Sequence, residues 1–355
     1  MKRSVCLFLL FAAMALPWVS VPVSGASAAA WAVMDGDTGV ILAEQNGHAM
    51  LPCASTTKIM TALVALETVP GDRLVTVCRE DTLAEGSRMY LREGETVTVT
   101  DLLYGLMLAS GNDAALALAR VCAGSESAFA AKMNEKAAEL GMGDTHFSTA
   151  SGLDAPDHRS SACDLAVLMA AAMRNAAFAR ITGTRETVLP GRTIVNHNRL
   201  LHTVPGVDGG KTGYTDRAGR CLVTTAVRNG RRLIVVTLND PADWSDHAEL
   251  YDRYFGAYTA RPVPTDDIPA LSVPVVNGTI PDVRTVFAIP TAYLAEGDPI
   301  RAEIYLPRFV YAPVRIGDPV GEIRWFLGSR EVARCALTAA EASEDAYEAA
   351  HRTAY

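Results

Sequence analysis

The first residues whose types and spacing could do chemistry are Ser55 and Lys58, in the stretch Ser55-Thr56-Thr57-Lys58. Residues three apart on a helix share a face, so the hydroxyl and the amine should lie within hydrogen-bonding distance. Residues 54–69 are apolar on nearly every face, which is typical of a buried helix. Burial disfavours a charged lysine, and a neutral amine can accept the proton of a serine hydroxyl. The spacing therefore predicts a serine nucleophile with a lysine base.

Lysine is rare in this chain. Five of its 32 Lys and Arg residues are lysines, at positions 2, 58, 132, 136 and 211. A guanidinium cannot give up its proton in a protein, whereas a buried amine can. The choice of lysine at position 58, with a second cation at Lys211, therefore favours a base at Lys58.

Two further motifs follow in order, Ser110-Gly111-Asn112 and Lys211-Thr212-Gly213. The first lies between two helical patterns and predicts a turn, although taken alone it is also typical of helix capping. The second lies in a strand pattern, where Lys211 can bind a carboxylate and Gly213 allows another backbone to come close. Taken alone, an edge-strand lysine that deters aggregation would explain the second motif equally well.

The elements that must position these motifs are a sheet and a helical block. Apolar segments predict a hairpin at 30–34 and 40–44 and later strands at 207–214, 221–227 and 233–238, the last two joined by a hairpin turn at Asn229-Gly230. Helical patterns cover 54–69, 100–123, 125–140, 164–175 and 247–258. After residue 260 the chain becomes proline-rich with short alternating runs. The sequence thus predicts an α+β domain at 29–260, a small all-β domain at 263–338 and a weakly helical tail at 339–355.

The N-terminus has the pattern of a secretory signal peptide at 1–28. Lys2 and Arg3 precede an apolar run at 5–19 and small residues at 25–29, with cleavage expected after Ala28. A retained membrane anchor is the alternative. The mature protein is therefore expected outside the cytoplasm, secreted, periplasmic or on the cell-wall side of the membrane, with weak membrane association at most. The net charge of -8 comes from mixed charges along the chain, which gives no indication of a nucleic-acid surface.

Six cysteines remain after the predicted signal peptide, and their wide spacing predicts no particular disulfide. The sequence contains no C-x-x-C, and its seven histidines form no H-E-x-x-H or H-x-H cluster. We therefore expect neither a metal site nor a cofactor.

Together the three motifs resemble the active-site set of penicillin-binding proteins and class A β-lactamases. The closer resemblance is to serine D-alanyl-D-alanine carboxypeptidases, the low-molecular-mass penicillin-binding proteins. It is carried by residues 52–61, 108–115, 196–201, 208–215 and 219–222, and it covers about residues 31–258. It implies a penicillin-binding/β-lactamase-like transpeptidase domain, in which an antiparallel sheet is joined to an all-α subdomain, followed by an accessory β domain.

The resemblance also implies catalytic roles. Ser55 would attack the carbonyl between the two D-alanines of a peptidoglycan stem peptide, with Lys58 as its base. Ser110 would pass a proton to the departing D-alanine, and the backbone N–H groups of Ser55 and Tyr214 would form the oxyanion hole. β-Lactam antibiotics should acylate the same serine.

The remaining motif residues would bind substrate. The resemblance implies that Asn112 holds the substrate amide and positions the lysine base. It also implies that Lys211 and Thr212 bind the terminal carboxylate, next to Gly213. The chain departs from the family at Thr149, where an Asn is common. The resemblance therefore does not predict the hydrogen bonds of that loop.

Three alternatives stay open on the sequence. A β-lactamase would share the fold and Ser55, but no E-x-x-L-N occurs between Ser110 and Lys211, and the middle motif is S-G-N where S-D-N is usual. A catalytically silent wall-binding or β-lactam-sensing module would keep the pocket without turnover. A metal-dependent carboxypeptidase would need a ligand set that the scattered histidines do not supply.

Overall fold

The computed structural model of this chain describes residues 26–37, 39–257, 259–328 and 330–352. Residues 1–25 of the predicted signal peptide therefore lie outside the described residues.

Seventeen strands occur in the described residues. Those of the predicted α+β domain are β1 Ala30–Asp35, β2 Ile41–Gln45, β3 Leu74–Thr76, β4 Thr96–Thr98, β5 Glu186–Leu189, β6 Arg192–Val195, β7 Val207–Thr215, β8 Gly219–Arg228 and β9 Arg231–Leu238. Five of them form the main antiparallel sheet in the order β2-β1-β9-β8-β7, so β7 is an edge strand. β3 pairs with β4, and β5 with β6.

The helices of the same part begin with a 3-10 turn at Ala54–Thr57. They continue as α1 Lys58–Thr68, α2 Arg79–Thr82, α3 Val99–Leu108, α4 Asn112–Ala123, α5 Glu126–Glu139, α6 Ala162–Met173, α7 Ala176–Thr182, α8 Leu200–Thr203 and α9 Asp243–Gly256. The predicted helix over 100–123 is two helices, α3 and α4, separated at the Ser110-Gly111 turn that the motif predicted.

Apolar residues on both faces of the main sheet place it between two helical layers. On β1, Trp31 and Val33 pack in one cluster with Leu250 and Tyr251 of α9. The alternate residues of β1 pack in a second cluster with α1, α3, α4 and α6. Side chains alternate across a strand, so a strand buried along its whole length requires cover on both sides. The predicted α+β class is confirmed.

The turn between β8 and β9 is formed by Asn229 and Gly230, which have φ angles of 52° and 75°. Both central residues of a two-residue hairpin turn of this kind need positive φ, which Asn and Gly tolerate. The predicted hairpin is confirmed.

The C-terminal part is a β region with a short final helix. Its strands are β10 Thr259–Pro262, β11 Ser272–Val276, β12 Asp282–Val286, β13 Thr291–Leu294, β14 Ile300–Tyr305, β15 Val310–Tyr311, β16 Pro319–Leu327 and β17 Arg330–Ala339, followed by α10 Ala346–Arg352. Six of these strands form a sheet in the order β14-β16-β17-β12-β11-β15. β10 begins four residues before the predicted boundary at 263, because it pairs with β13.

Among the described helices, none is by itself long and apolar enough to cross a membrane. One sharply bent pair, α6 and α7, meets the length and composition criteria only when the two helices are taken together.

Candidate active site

Ser55 lies in the 3-10 turn that leads into the buried helix α1. Ala54, just before it, has a φ of 46°, and Gly152 packs directly against this residue. A Cβ on Gly152 would lie 2.0 Å from the Ala54 carbonyl oxygen. The turn that presents Ser55 is therefore held by a backbone contact that only glycine permits.

Lys58 is fully buried, and its amine lies against three oxygen atoms. Its Nζ is 2.8 Å from Ser55 Oγ, 2.7 Å from Asn112 Oδ1 and 2.5 Å from the Ser151 carbonyl oxygen. Burial and then the positive charge of Lys211 lower the pKa of Lys58 well below its usual value of 10.5, while Asp113 opposes the shift. The site therefore favours the neutral amine that a base requires.

The second motif lies at the start of α4, beside the lysine. Ser110 is in the left-handed region with a φ of 58° and lines the same pocket as Ser55. Asn112 accepts a hydrogen bond from Lys58 and donates one from Nδ2 to the Glu85 carbonyl at 2.6 Å. The structure thus gives Asn112 the predicted position beside Lys58. One of the two Asn112 Nδ2 hydrogens is used by the Glu85 carbonyl, which leaves the other for the substrate.

The third motif lies on the edge strand β7, which packs against the Ser55 turn. A Cβ on Gly213 would lie 3.1 Å from the Ser55 nitrogen, so glycine here allows the close approach that the sequence predicted. Thr212 and the exposed Tyr214 line the pocket beside Ser55. The first N–H groups of a helical turn have no partner inside it, which leaves them available to an oxyanion.

Lys211 lies deeper in the protein than a residue in direct contact with the substrate carboxylate would. Its side chain is buried, outside the pocket lining, and its Nζ donates to the Thr212 carbonyl at 2.7 Å. Burial lowers the pKa of Lys211 to about 7. The structure therefore places Lys211 where it acts on Lys58 electrostatically, and it places Thr212 at the surface of the cleft.

The pocket has a volume of about 540 Å³ and includes residues to which the sequence assigned no role. Arg220 pairs with the carboxylate of Asp243 through two nitrogens, at 2.7 Å and 3.1 Å, and lies over Trp244. Arg199 also lines the pocket, and no carboxylate of the described residues forms an ion pair with it. The resemblance at 196–201 included Arg199 in the sequence. Only the folded structure shows that this stretch lies beside Ser55.

The loop with the departure at Thr149 is closed by its own hydrogen bonds. Thr149 Oγ1 accepts from Gly152 N at 3.1 Å. Nδ1 of buried His158 accepts from the backbone N–H groups of Ser148 and Thr149, so its Nε2 carries the proton and donates to Thr57 Oγ1 at 2.7 Å. Burial lowers the pKa of His158 to about 4, so this neutral form persists at neutral pH. The loop therefore holds the Ser151 carbonyl against Lys58 without the Asn.

This chain is similar to several known proteins. The family profile described as D-alanyl-D-alanine carboxypeptidase matches residues 19–242. The D-alanyl-D-alanine carboxypeptidase DacB2 of Mycobacterium tuberculosis is 41% identical over 251 residues, which cover 67% of this chain and 86% of that protein. DacF of Bacillus subtilis is 32% identical over 308 residues, covering 82% and 79%. The crystal structure of penicillin binding protein 6B from Escherichia coli matches with a TM-score of 0.66 and 31% identity, over 91% of this chain and 98% of that one.

The fold and the contact between Ser55 and buried Lys58 are those of a serine acyl-transfer enzyme of the penicillin-binding type. The chain belongs to the D-alanyl-D-alanine carboxypeptidase family, a family of hydrolases, as the motifs predicted.

Proposed function

We propose that this protein removes the terminal D-alanine from peptidoglycan stem pentapeptides through an acyl-enzyme on Ser55, which limits cross-linking. The observation that carries the proposal is the 2.8 Å contact between Ser55 Oγ and a buried lysine whose pKa is lowered. The family is one of carboxypeptidases, and this contact supports Ser55 and Lys58 as the residues that carry out the reaction.

In the proposed reaction, the Ser55 proton moves to Lys58 as Oγ bonds the carbonyl carbon of the penultimate residue. The N–H groups of Ser55 and Tyr214 stabilise the negative oxygen of the tetrahedral intermediate. The bond to the terminal D-alanine then breaks, and its nitrogen receives a proton through Ser110. Water hydrolyses the resulting ester and restores the serine.

The terminal carboxylate of the substrate needs a cation and a hydroxyl in the cleft. Arg199 and Thr212 line the pocket and meet this need, and a guanidinium binds a carboxylate with two parallel hydrogen bonds. Buried Lys211 adds positive potential behind the strand. We therefore extend the predicted carboxylate site, Lys211 and Thr212, by Arg199.

The cleft supports a carboxypeptidase more than a β-lactamase. Asp243 is the carboxylate among the described residues that line the pocket, and it is paired with Arg220. A β-lactamase needs a free base that activates water for fast deacylation. β-Lactams, which resemble the end of the stem peptide, should therefore remain bound as stable acyl-enzymes.

The substrate is extracytoplasmic, so we propose that the chain is exported by the predicted signal peptide and works outside the cytoplasm. We also propose the division into a catalytic domain at 29–260 and an accessory β domain at 263–338. The accessory domain would hold the catalytic domain at the right height above the membrane or bind a partner.

Covalent labelling tests the proposed nucleophile. Incubation with benzylpenicillin should add the mass of one penicilloyl group, and peptide mapping should place it on Ser55. Ser55→Ala should abolish the adduct, whereas Ser127→Ala, at an exposed serine of α5, should leave it unchanged. An adduct that persists in Ser55→Ala would refute the assignment.

A further inference from the structure

The first described residues of the chain contact two buried carboxylates. The backbone nitrogen of Ser27 donates to Asp246 Oδ2 at 2.6 Å. The Ser27 hydroxyl lies 2.7 Å from Asp240 Oδ1 and 3.1 Å from Asp246 Oδ2. A single residue near the N-terminus therefore reaches both acids.

Among the described residues, no cationic side chain lies beside these two carboxylates. Asp240 is fully buried and Asp246 nearly so, and no Lys, Arg or His of the described residues forms an ion pair with either. Within the part of the chain that the structure describes, no group lies within hydrogen-bond distance of the buried Asp240 Oδ2. Burial, together with the charge of Asp246, raises the pKa of Asp240. Buried charges are normally paired and buried polar atoms hydrogen-bonded, so this site lacks a positively charged donor.

We propose that the leader is cleaved between Ala26 and Ser27, and that the new α-ammonium of Ser27 is the missing cation between Asp240 and Asp246. Hydrolysis of this peptide bond leaves a carboxylate on Ala26 and an amine on Ser27, which takes up a proton. The nitrogen then has three N–H donors where the amide has one. The inference rests on the proposed export and is independent of the carboxypeptidase chemistry.

The folded structure favours this position over the predicted cleavage after Ala28. Ala28 is buried and packs in the cluster of Trp31, Leu250 and Tyr251. Cleavage after Ala28 would remove that contact and every contact of Ser27. Residues 24–26, Ser-Gly-Ala, also have the small residues that signal cleavage requires at the first and third positions before the cut.

The direct test is the intact mass and N-terminal sequence of the protein exported from a bacterial host. The proposal predicts a chain that begins at Ser27. A chain that begins at Ala29, or at any other residue, or that retains its leader, would overturn it.

A second measurement tests the proposed charge pair. We would compare the thermal unfolding midpoint of the form beginning at Ser27 with that of a form carrying residues 24–26 in front of it. The longer form should unfold at a lower temperature, because its Ser27 nitrogen is a neutral amide. Asp246→Asn should reduce that difference, because only Asp240 remains to pair with the ammonium, whereas Asp252→Asn, at an exposed acid on the same helix, should preserve it. Equal midpoints for the two forms would refute the ion pair.

A separate group of donors includes no residue of the three motifs. Single donor atoms of Glu44, His48 and Cys163 all lie within 4.8 Å of one another. Glu44 Oε2 is 3.8 Å from His48 Nε2 and 2.7 Å from Cys163 Sγ. A carboxylate, an imidazole and a thiol are all donors that bind zinc, and an ion between them would lengthen the 2.7 Å thiol–carboxylate hydrogen bond to about 3.5 Å, the ligand separation of a tetrahedral zinc site.

Two further features favour metal binding by these donors: the orientation of the His48 ring and the space beside Gly47. Asp144 Oδ2 is 2.8 Å from His48 Nδ1, which fixes the proton there and leaves Nε2 facing Glu44 and Cys163. Metal-bound histidines characteristically donate their second nitrogen to a carboxylate in this way. Gly47 leaves the space open, because a Cβ there would lie 2.2 Å from Glu44 Oε2 and 2.7 Å from Cys163 Sγ.

We also infer that Glu44, His48 and Cys163 bind a divalent cation of the zinc class, with Asp144 as a positioning residue. Binding would release the thiol proton to solvent, and water would complete the coordination. Sequence spacing could not predict this site, because the tertiary fold brings residue 163 next to residues 44 and 48.

Cobalt(II) and zinc(II) titrations of the purified protein test this inference. Cobalt(II) should produce near-ultraviolet thiolate charge-transfer absorption, which zinc(II) displaces. Cys163→Ser should abolish it, Cys122→Ser should keep it, and Asp144→Asn should weaken zinc binding by about 10- to 100-fold. No absorption in the wild type, or absorption that persists in Cys163→Ser, would refute the site.

Discussion

At the scale of residues, the contacts of Lys58 bear on whether its amine can accept the proton of Ser55. A neutral amine has two hydrogens and one lone pair. The Asn112 and Ser151 oxygens can only accept, so they take the two hydrogens. In the proposed neutral state the lone pair therefore faces Ser55 Oγ, 2.8 Å away, and can accept the hydroxyl hydrogen. This is the arrangement that the proposed proton transfer from Ser55 to Lys58 requires.

Replacing Lys58 tests this arrangement. Lys58→Gln should slow acylation of Ser55 by about 10²- to 10⁴-fold, because it removes the base. Stopped-flow or labelling kinetics with a β-lactam would measure the rate, and circular dichroism would confirm folding. Lys136→Gln, at a surface lysine paired with Glu67 and Glu139, should acylate at the wild-type rate. A folded Lys58→Gln protein with full activity would show that another group is the base.

The pH dependence follows from the lowered pKa of Lys58. Acylation requires the neutral amine, so its rate should fall as pH decreases through that pKa. The charge of Lys211 lowers the pKa of Lys58. Lys211→Gln should therefore raise it and move the acidic limb of the acylation rate to higher pH. Lys132→Gln is the control, and a limb that stays in place or moves to lower pH would contradict the proposed electrostatic role of Lys211.

Some residues of the site could be predicted from the sequence and others could not. Ser55 and Lys58 are three apart in a predicted helix, and the 3-10 turn that leads into α1 keeps them in contact, so local spacing alone predicted it. Arg199, Arg220 and Asp243 reach the cleft from separate elements, and no local pattern brings them together. The buried position of Lys211 could not be predicted from the sequence either, because the alternation of side chains along a strand does not tell which side of β7 faces the cleft.

At the scale of elements, the turn that presents Ser55 depends on the loop that crosses it. Gly152 has a φ of 82° and contacts the Ala54 carbonyl, while the same loop supplies the Ser151 carbonyl to Lys58. The loop therefore positions the nucleophile and its base at once.

A pair of glycine variants separates this contact from simple backbone strain. Gly152→Ala and Gly124→Ala both place alanine at a φ near 80°, which costs about 1–3 kcal/mol. A Cβ at Gly124 meets nothing within 4 Å, whereas one at Gly152 overlaps the Ala54 oxygen. Gly152→Ala should therefore lose stability beyond Gly124→Ala and lose β-lactam acylation, as measured by thermal unfolding and labelling. Equal stability and acylation in the two variants would contradict the proposed support of the turn.

Most elements could be predicted because their patterns are local. The hairpin at Asn229-Gly230, the buried α1 and the break at Ser110-Gly111 each have a signal in a few consecutive residues. The small pairs β3-β4 and β5-β6 were not predicted, since their three or four residues carry too little pattern. The start of β10 was also missed, because its pairing with β13 depends on residues about thirty positions later.

At the scale of the whole molecule, the hydrophobic clusters are separate. Two clusters contain only residues at or before position 255, and two contain only residues from position 263 onward. Two independent cores are what the proposed division into two domains requires.

A chain that ends at residue 260 tests this division. It should fold cooperatively and acylate Ser55 at the full-length rate, because its two clusters are intact. Activity on polymeric cell wall should fall if the β domain holds the enzyme at its substrate. A truncated chain that cannot be acylated would contradict independent folding, and full activity on wall in cells would contradict the proposed role of the β domain.

The most direct test of the central claim is release of D-alanine from diacetyl-L-lysyl-D-alanyl-D-alanine by the mature protein and by Ser55→Ala. We predict release by the wild type and none by the variant, which would establish the carboxypeptidase and its nucleophile together. Penicillin capture at Ser55 without release of D-alanine would contradict the account and indicate a sensing or binding module.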